Sequence, residues 1–523
     1  MASTRPLPAI VASALRDGRS ARWIVLALLL QAACAGPGPK LFPVAPVETH
    51  RLAGGEVQRL YDTDADGRPD FAELLAPNGR IRQLQYRLDD PSPADTVDLD
   101  RIAPADCPHL VIILDSVPFT MVRDLWNQGR FRLFAPPTRA IATFPVMTDL
   151  SLSEFFHASP CPGIESQYYD GHHLTNGYLT YAEEKNTPWL AYADYHLNPI
   201  DHSEVYGHPH VWFDHELRRI QELFYQKHQR CFIGYCVGPS ALGAKFGRDG
   251  HLAGLIRLDR FCQQIFYRAR GKVQITLFSD HGHNLVRSRR IPLTEFLREC
   301  GYHVGDSLQH PGDVVVPEFG VVTCAAVHTR QPAAVARDLL GLEGVDLTAY
   351  LDRGRGRPGS QGDRIIVLSR TGRASITHSD AGFRYETLPQ LTGDPLELGP
   401  VLNLLRRQGR LDADGFVSDR VLFDATADGE YPDAVHRLWR AFHGLVKHTP
   451  DVLVSVKDGW HCGSPFMTDL LQLSAAHGNL NPLSSTAFVM TTVGKLPPVV
   501  RMEDLRAALI NLGVPLPTKT PKK

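Results

Sequence analysis

Several short polar groups in this chain each sit at the end of an apolar run. Asp115-Ser116 follows His109-Leu110-Val111-Ile112-Ile113-Leu114, and Ser279-Asp280-His281-Gly282-His283 follows Val273 to Phe278. Between them Thr148 closes the phrase Phe144-Pro145-Val146-Met147-Thr148, and far downstream His477-Gly478-Asn479 precedes the strand-like Ser485 to Met490. Adjacent hard-oxygen and imidazole side chains, as in Asp280-His281, are the donor pair that suits Zn²⁺ or Mn²⁺. A hydroxyl beside such a cation loses its proton more readily and becomes a nucleophile, which is the chemistry open to Thr148. Each residue also has a plain alternative. Thr148 could cap a helix, and Asp115 and Asp280 could cap sheet ends. The order of the groups along the chain is what gives them weight together.

Positioning such residues needs strands whose ends meet. His109–Leu114 is continuously apolar, as is a strand buried on both faces of a parallel sheet, and similar runs are Val273–Phe278, Asp363–Leu368 and Val452–Val456. Helical patterns alternate with them, most clearly over 433–447, where Val435, Leu438, Trp439, Phe442, Leu445 and Val446 share a face. The pattern predicts an α/β fold with a doubly wound, mostly parallel central sheet flanked by helices. Functional residues are then expected at the carboxyl ends of strands.

Residues 105–515, with this order of motifs, resemble the alkaline phosphatase superfamily on its nucleotide pyrophosphatase/phosphodiesterase side. The resemblance implies that Asp115, Thr148, Asp280 and His281 hold one metal ion, Zn or Mn, with Thr148 as nucleophile, and that His477 belongs to a second. It also implies a phosphoester substrate. The chain departs from the family at that second metal. The stretch matching Pro-Asp-x-x-Gly-His-x-x-Gly is Pro239-Ser240-Ala241-Leu242-Gly243-Ala244-Lys245-Phe246-Gly247, so Ser240 and Ala244 stand where Asp and His are expected. Other imidazoles lie in Asp170-Gly171-His172-His173 and among His202, His208, His210 and His215, in a stretch read as cap. One ion per chain is therefore expected, with His283 or Lys245 as auxiliary donors, as in the similar single-metal phosphoethanolamine transferases.

The amino end reads as an address. Arg5, Arg16, Arg19 and Arg22 precede the apolar Trp23 to Leu30, and Gln31-Ala32-Ala33-Cys34 follows. This resembles a bacterial lipoprotein signal, with Cys34 lipidated and Ala35 directing the chain to the outer membrane; Gln31 departs from the usual residue there, and ordinary cleavage nearby is the alternative. No apolar run reaches the roughly 18 residues of a spanning helix. Beyond the linker, Asp62, Asp64, Asp66, Arg68 through its carbonyl, Asp70 and Glu73 occupy the six ligand places of an EF-hand-type calcium loop, with Gly67 at the bend. The loop is closest to lone dockerin or thrombospondin-repeat loops, and Pro77-Asn78-Gly79 reads as a hairpin turn after it.

The expected organisation is a signal at 1–33, a lipid-anchored linker at 34–47, a small calcium-loop and hairpin unit at 48–100, and the body at 105–515. Cap insertions are expected near 160–235 and 305–400, with a flexible tail at 516–523. A net charge of −2 without basic runs argues against nucleic-acid binding as the main task. No CxxC occurs among the nine cysteines; Cys231 and Cys236 are close enough in sequence for a local bridge. Two functions stay open: a lipid-anchored, single-metal phosphodiesterase, phosphatase or phosphoryl transferase, and a degenerate relative that serves as a cell-envelope binding or scaffold protein.

Overall fold

The computed structural model describes residues 38–354, 362–389 and 391–517. The signal segment and Cys34 lie outside the described residues. At the centre is the strand His109–Leu114, buried at every position. It pairs in parallel with Cys231–Cys236 on one side and with Gln274–Ser279 on the other. Thr486–Thr491, Thr138–Ile141 and Val499–Arg501 complete a six-stranded sheet beyond Gln274–Ser279.

The chain is α/β as expected, but the sheet is mixed. Thr486–Thr491 runs antiparallel to both of its neighbours. The reason is where it starts: the chain arrives from His477, at the carboxyl ends of the parallel strands, and must run back down. Arg364–Leu368 and Val452–Val456 are not in this sheet at all. They belong to a second sheet of eight strands, in the order His303–Val304, Asp313–Val315, Cys324–Thr329, Val452–Val456, Val345–Asp352, Arg364–Leu368, Arg373–Ser379, Gly382–Thr387. Apart from the first pair this sheet is antiparallel. A strand covered on both faces is apolar throughout whichever way its neighbours run, so the sequence alone does not separate the two sheets.

At the amino end, five short strands form an antiparallel meander, Glu48–Arg51, Val57–Tyr61, Phe71–Leu75, Ile81–Tyr86 and Asp95–Asp98. The hairpin over Pro77–Gly79 is present, with Gly79 at φ +80°. The meander docks by rings: Phe42, Phe71 and Tyr86 surround Tyr267 of the body, and the Tyr86 hydroxyl donates to the Tyr267 carbonyl at 2.9 Å. All eight cysteines among the described residues are free. Cys231 and Cys236 are the two ends of one extended strand, which rules out a bridge between them. The helix expected over 433–447 covers Ala434–Phe442, and Leu445 and Val446 are buried in the turn after it. Among the described residues no helix is long and apolar enough to cross a membrane.

The edge strand is tied to the second half of the chain by charge. The Arg501 guanidinium, almost fully buried, donates to Asp433 at 2.7 Å and to Asp419 at 2.7 Å. Removing Arg501 leaves the buried Asp433 carboxylate without its cation. Arg501→Ala is expected to cost about 3–5 kcal/mol of stability, read as a lower urea midpoint.

Candidate active site

The parallel register sets the site. Leu114 pairs with Ser279, so the next residues of the two strands, Asp115 and Asp280, emerge side by side at the sheet's carboxyl edge. Both are buried. Ser116 turns away through a left-handed conformation, φ +62°. That turn aims its amide at Asp280 Oδ1, 3.0 Å away, while its hydroxyl donates to Asp115 Oδ1 at 2.6 Å. Tyr235, from the neighbouring strand, donates its hydroxyl to Asp115 Oδ2 at 2.9 Å. Each carboxylate is thus held by the strand next to it.

His281 completes the group. Its Nδ1 donates to the Gly282 carbonyl at 3.0 Å, which leaves the Nε2 lone pair facing inward. Nε2 stands 3.1 Å from Thr148 Oγ1, 3.4 Å from Asp280 Oδ2 and 3.9 Å from Asp115 Oδ1. Gly282 is required here, because a Cβ would overlap the Leu483 carbonyl. Thr148 is the first residue of the helix Thr148–Phe156, and no side chain caps that end. Its free amides and the helix dipole face the same space, which favours an anion. Thr143, the other hydroxyl near this phrase, faces the Pro145 carbonyl and Ser151 instead.

The electrostatics point to a cation. Burial, and then the Asp115 charge, push the Asp280 carboxyl well above the usual carboxylate range. Burial also lowers the His281 imidazole, keeping it neutral and free to ligate. Asp280 Oδ2 is buried without a hydrogen-bond partner. Among the described residues no lysine or arginine pairs with either carboxylate. One donor atom each from Asp115, Asp280 and His281 falls within 4.8 Å of the others, and a divalent metal ion fits that set.

The remaining sequence expectations divide. His477 arrives beside the group, its ring 4.2 Å from that of His281 and its Nδ1 on the Val146 carbonyl at 2.8 Å, but it is not one of the three converging donors. Ser240 lies at the site, its hydroxyl donating to Ser116 Oγ at 3.2 Å, and Ala244 packs among Val321, Leu473 and Ala476. Lys245 turns outward to the Gly207 carbonyl at 2.6 Å. Of the cap imidazoles, His172, His173, His208 and His210 are exposed. Burial lowers the His202 imidazole, and the Asp115 charge opposes that effect. Tyr235 gave no sequence signal, since a tyrosine inside an apolar strand looks like core.

In the amino-terminal loop Asp62, Asp64 and Asp66 come together, exposed or nearly so. Asp70 and Glu73 do not join them. Asp70 accepts from the Thr63 amide at 2.8 Å, and Glu73, inside the strand Phe71–Leu75, points inward to the Tyr61 hydroxyl at 3.1 Å. The strand begins directly after Asp70, and its alternation carries Glu73 to the buried face. The Arg68 amide donates to Asp66 Oδ1 at 2.8 Å.

No family model matches this chain, and no curated protein matches it. Among solved structures it is similar to murine ectonucleotide pyrophosphatase/phosphodiesterase 5, at 13% identity and a TM-score of 0.42, over 80% of this chain and 97% of that one. The same values hold for an inactive variant of that protein in complex with AMP. The human protein of that name is similar at 11% identity and a TM-score of 0.42, over 80% of this chain and 96% of that one. Likenesses this distant leave the functional reading to the residues themselves.

A raised carboxyl pKa has a sign that can be tested. In metal-free protein Asp280 favours folding below the ordinary carboxylate range, and that contribution is lost as pH rises toward and past the elevated folded-state value. With chelator present, the urea midpoint of the wild type is expected to fall over that rise more steeply than that of Asp280→Asn. The difference in slope is at most about 1.4 kcal/mol per pH unit for one proton.

Proposed function

We propose that this chain is a metal-dependent phosphoester hydrolase or phosphoryl transferase of the alkaline phosphatase kind, with Thr148 as its nucleophile. The observation that carries the reading is the Thr148 hydroxyl, set 3.1 Å from His281 Nε2 beside two buried carboxylates with which no lysine or arginine among the described residues pairs. Asp115, Asp280, His281 and the Thr148 hydroxyl would hold the ion, Zn²⁺ or Mn²⁺. When bound, it supplies positive charge that lowers the pKa of the hydroxyl and offsets the charge of the phosphoryl group.

The rest is done by the chain. The helix start at Thr148 orients the phosphoryl group through free amides and its dipole. Thr148 Oγ attacks phosphorus in line as the bond to the leaving oxygen breaks, giving a phosphothreonine. Water, or another acceptor, then breaks the Oγ–P bond. Tyr235 and Ser116 keep Asp115 in place while charge shifts between these groups. One observation favours a second reading. Ser240 and Ala244 are integrated into hydrogen bonds and packing, as they would be in a relative that binds or scaffolds without turnover.

The proposal extends to place and cofactors. Residues 1–34 would export the chain and lipidate Cys34, fixing it to the outer membrane, and the exposed Asp62–Asp66 loop would take Ca²⁺. Cys34→Ala is then expected to move the protein from the membrane fraction to the soluble fraction of the producing cell, on fractionation with immunoblotting.

Turnover decides between the two functional readings. Nitrophenyl phosphate monoesters and diesters, with added Zn²⁺ or Mn²⁺, are expected to be hydrolysed by the wild type. Chelation should abolish the rate, and Thr148→Ala should lower it by at least about a thousand-fold. Equal background rates in wild type and variant would leave the scaffold reading standing.

A further inference from the structure

Between residues 240 and 244 the helix Gly238–Arg268 presents one polar side chain, that of Ser240. The rest of this turn is closed. A Cβ at Gly243 would overlap the His251 ring, which returns from beyond a break in the helix at Gly247, φ +60° and ψ −138°. His251 Nε2 is in turn hydrogen-bonded to His283 Nδ1 at 3.0 Å, and Ala244 packs among apolar groups. The Ser240 hydroxyl is therefore the group through which this turn meets the carboxylates, and it does not act alone.

Three hydroxyls run in a line from Asp115. Ser116 Oγ donates to Asp115 Oδ1 at 2.6 Å, and Ser240 Oγ donates to Ser116 Oγ at 3.2 Å. The Tyr206 hydroxyl ends the line, 3.4 Å from Ser240 Oγ. A hydroxyl has one proton to give, which fixes the direction of the whole line. The protons of Ser116 and Ser240 are both spent toward Asp115, so at the last contact Tyr206 is the donor. That contact is the longest of the three and lies beyond the roughly 2.5–3.0 Å usual for such bonds, so the phenol proton is loosely committed. Tyr206 follows the helix Pro199–Val205, and its ring packs against Ala244, Val321, Leu473 and Ala476 while its hydroxyl reaches Ser240. Burial, and then the Asp115 charge, hold the phenol well above its ordinary range, so it stays protonated.

We propose that the Tyr206 hydroxyl donates a hydrogen bond to a non-bridging oxygen of a phosphoryl group bound at Thr148. This rests on the reading of the site as one for phosphoesters. A phenol near two buried acids is a poor source of protons, since the phenolate would be a third negative charge there. It is well suited to give a hydrogen bond and keep its proton. A departing oxygen needs a proton outright, whereas a non-bridging oxygen needs only a donor. The phenol proton has two positions in the plane of its ring, and turning it from Ser240 to the ligand gives up only the long contact. A hydrogen bond to an anion is stronger than one between two hydroxyls, so the exchange is favourable. The donor is neutral, and its ring is already held in place before any anion arrives.

The test uses the zinc-loaded full chain and reads binding apart from turnover. Tyr206→Phe keeps the ring and its packing and removes only the oxygen. Titrated with inorganic phosphate in a calorimeter at equal zinc content, it is expected to bind about tenfold more weakly than the wild type. Ser240→Ala cuts the line to Asp115 but keeps the phenol, and should lose less, at most about threefold. Equal losses in the two variants would make Tyr206 a support for Asp115 and overturn the direct contact, as would unchanged affinity in Tyr206→Phe. Far-UV circular dichroism confirms that each variant is folded. Chiral phosphorothioate diesters of nitrophenol supply the kinetic readout. Tyr206→Phe should slow one diastereomer at least about tenfold more than the other, because sulfur in place of the bonded oxygen already weakens that bond. A slowing shared equally by both overturns the inference. A wild type that binds phosphate without turnover defeats the proposed function alone, and the phosphate titrations then decide the donor. A wild type that binds no phosphate defeats both.

Discussion

Two carboxylates forced together out of water are the constraint on which this structure turns. Asp115 and Asp280 are adjacent because Leu114 and Ser279 are paired in a parallel ladder, and no lysine or arginine among the described residues offsets them. Buried like charges cannot both ionise without help, and the protein supplies only partial help from neutral donors. The Ser116 amide and hydroxyl and the Tyr235 hydroxyl hold the oxygens in position but bring no net charge. The arrangement makes physical sense around a cation and little sense otherwise. The left-handed turn at Ser116 and the crowded Gly282 are local conformations that the same arrangement demands.

The site is built from both directions of the mixed sheet. Parallel strands deliver Asp115, Asp280 and His281 at their carboxyl ends. Thr148 and His477 come on connections to and from the strands Thr138–Ile141 and Thr486–Thr491, which pair antiparallel with each other. The Val146 carbonyl that fixes His477 is two residues before Thr148, and the Val146 amide donates to the Gly478 carbonyl at 3.0 Å, so the Thr148 loop and the late histidine are positioned together. The second, antiparallel sheet supports this from outside. The Thr323 amide donates to the His477 carbonyl at 2.7 Å, and the Thr323 hydroxyl accepts from the Asn479 amide at 2.8 Å.

Much of this was legible from residue order. The strands His109–Leu114 and Gln274–Ser279, and the polar residues after them, follow from an apolar run ending in ligand chemistry. The helix start at Thr148 follows from its phrase. Membership of the two sheets was not legible, because Arg364–Leu368 and Val452–Val456 are as apolar as the central strand for the same reason of two-sided burial. The calcium-type spacing told only part of its loop. A ligand count along the sequence cannot see that Glu73 lies inside a strand and faces Tyr61. His251 was beyond reach for a further reason. Its position depends on a helix broken at Gly247, and a glycine within a helical pattern does not say which way the chain bends.

The broken helix changes what the missing Asp and His mean. Ser240 and Ala244, where the sequence resemblance expects an Asp and a His, leave a gap only if nothing else occupies that space. Here the space is filled, by Tyr206 and Ser116 around the Ser240 hydroxyl and by the His251 ring against Gly243.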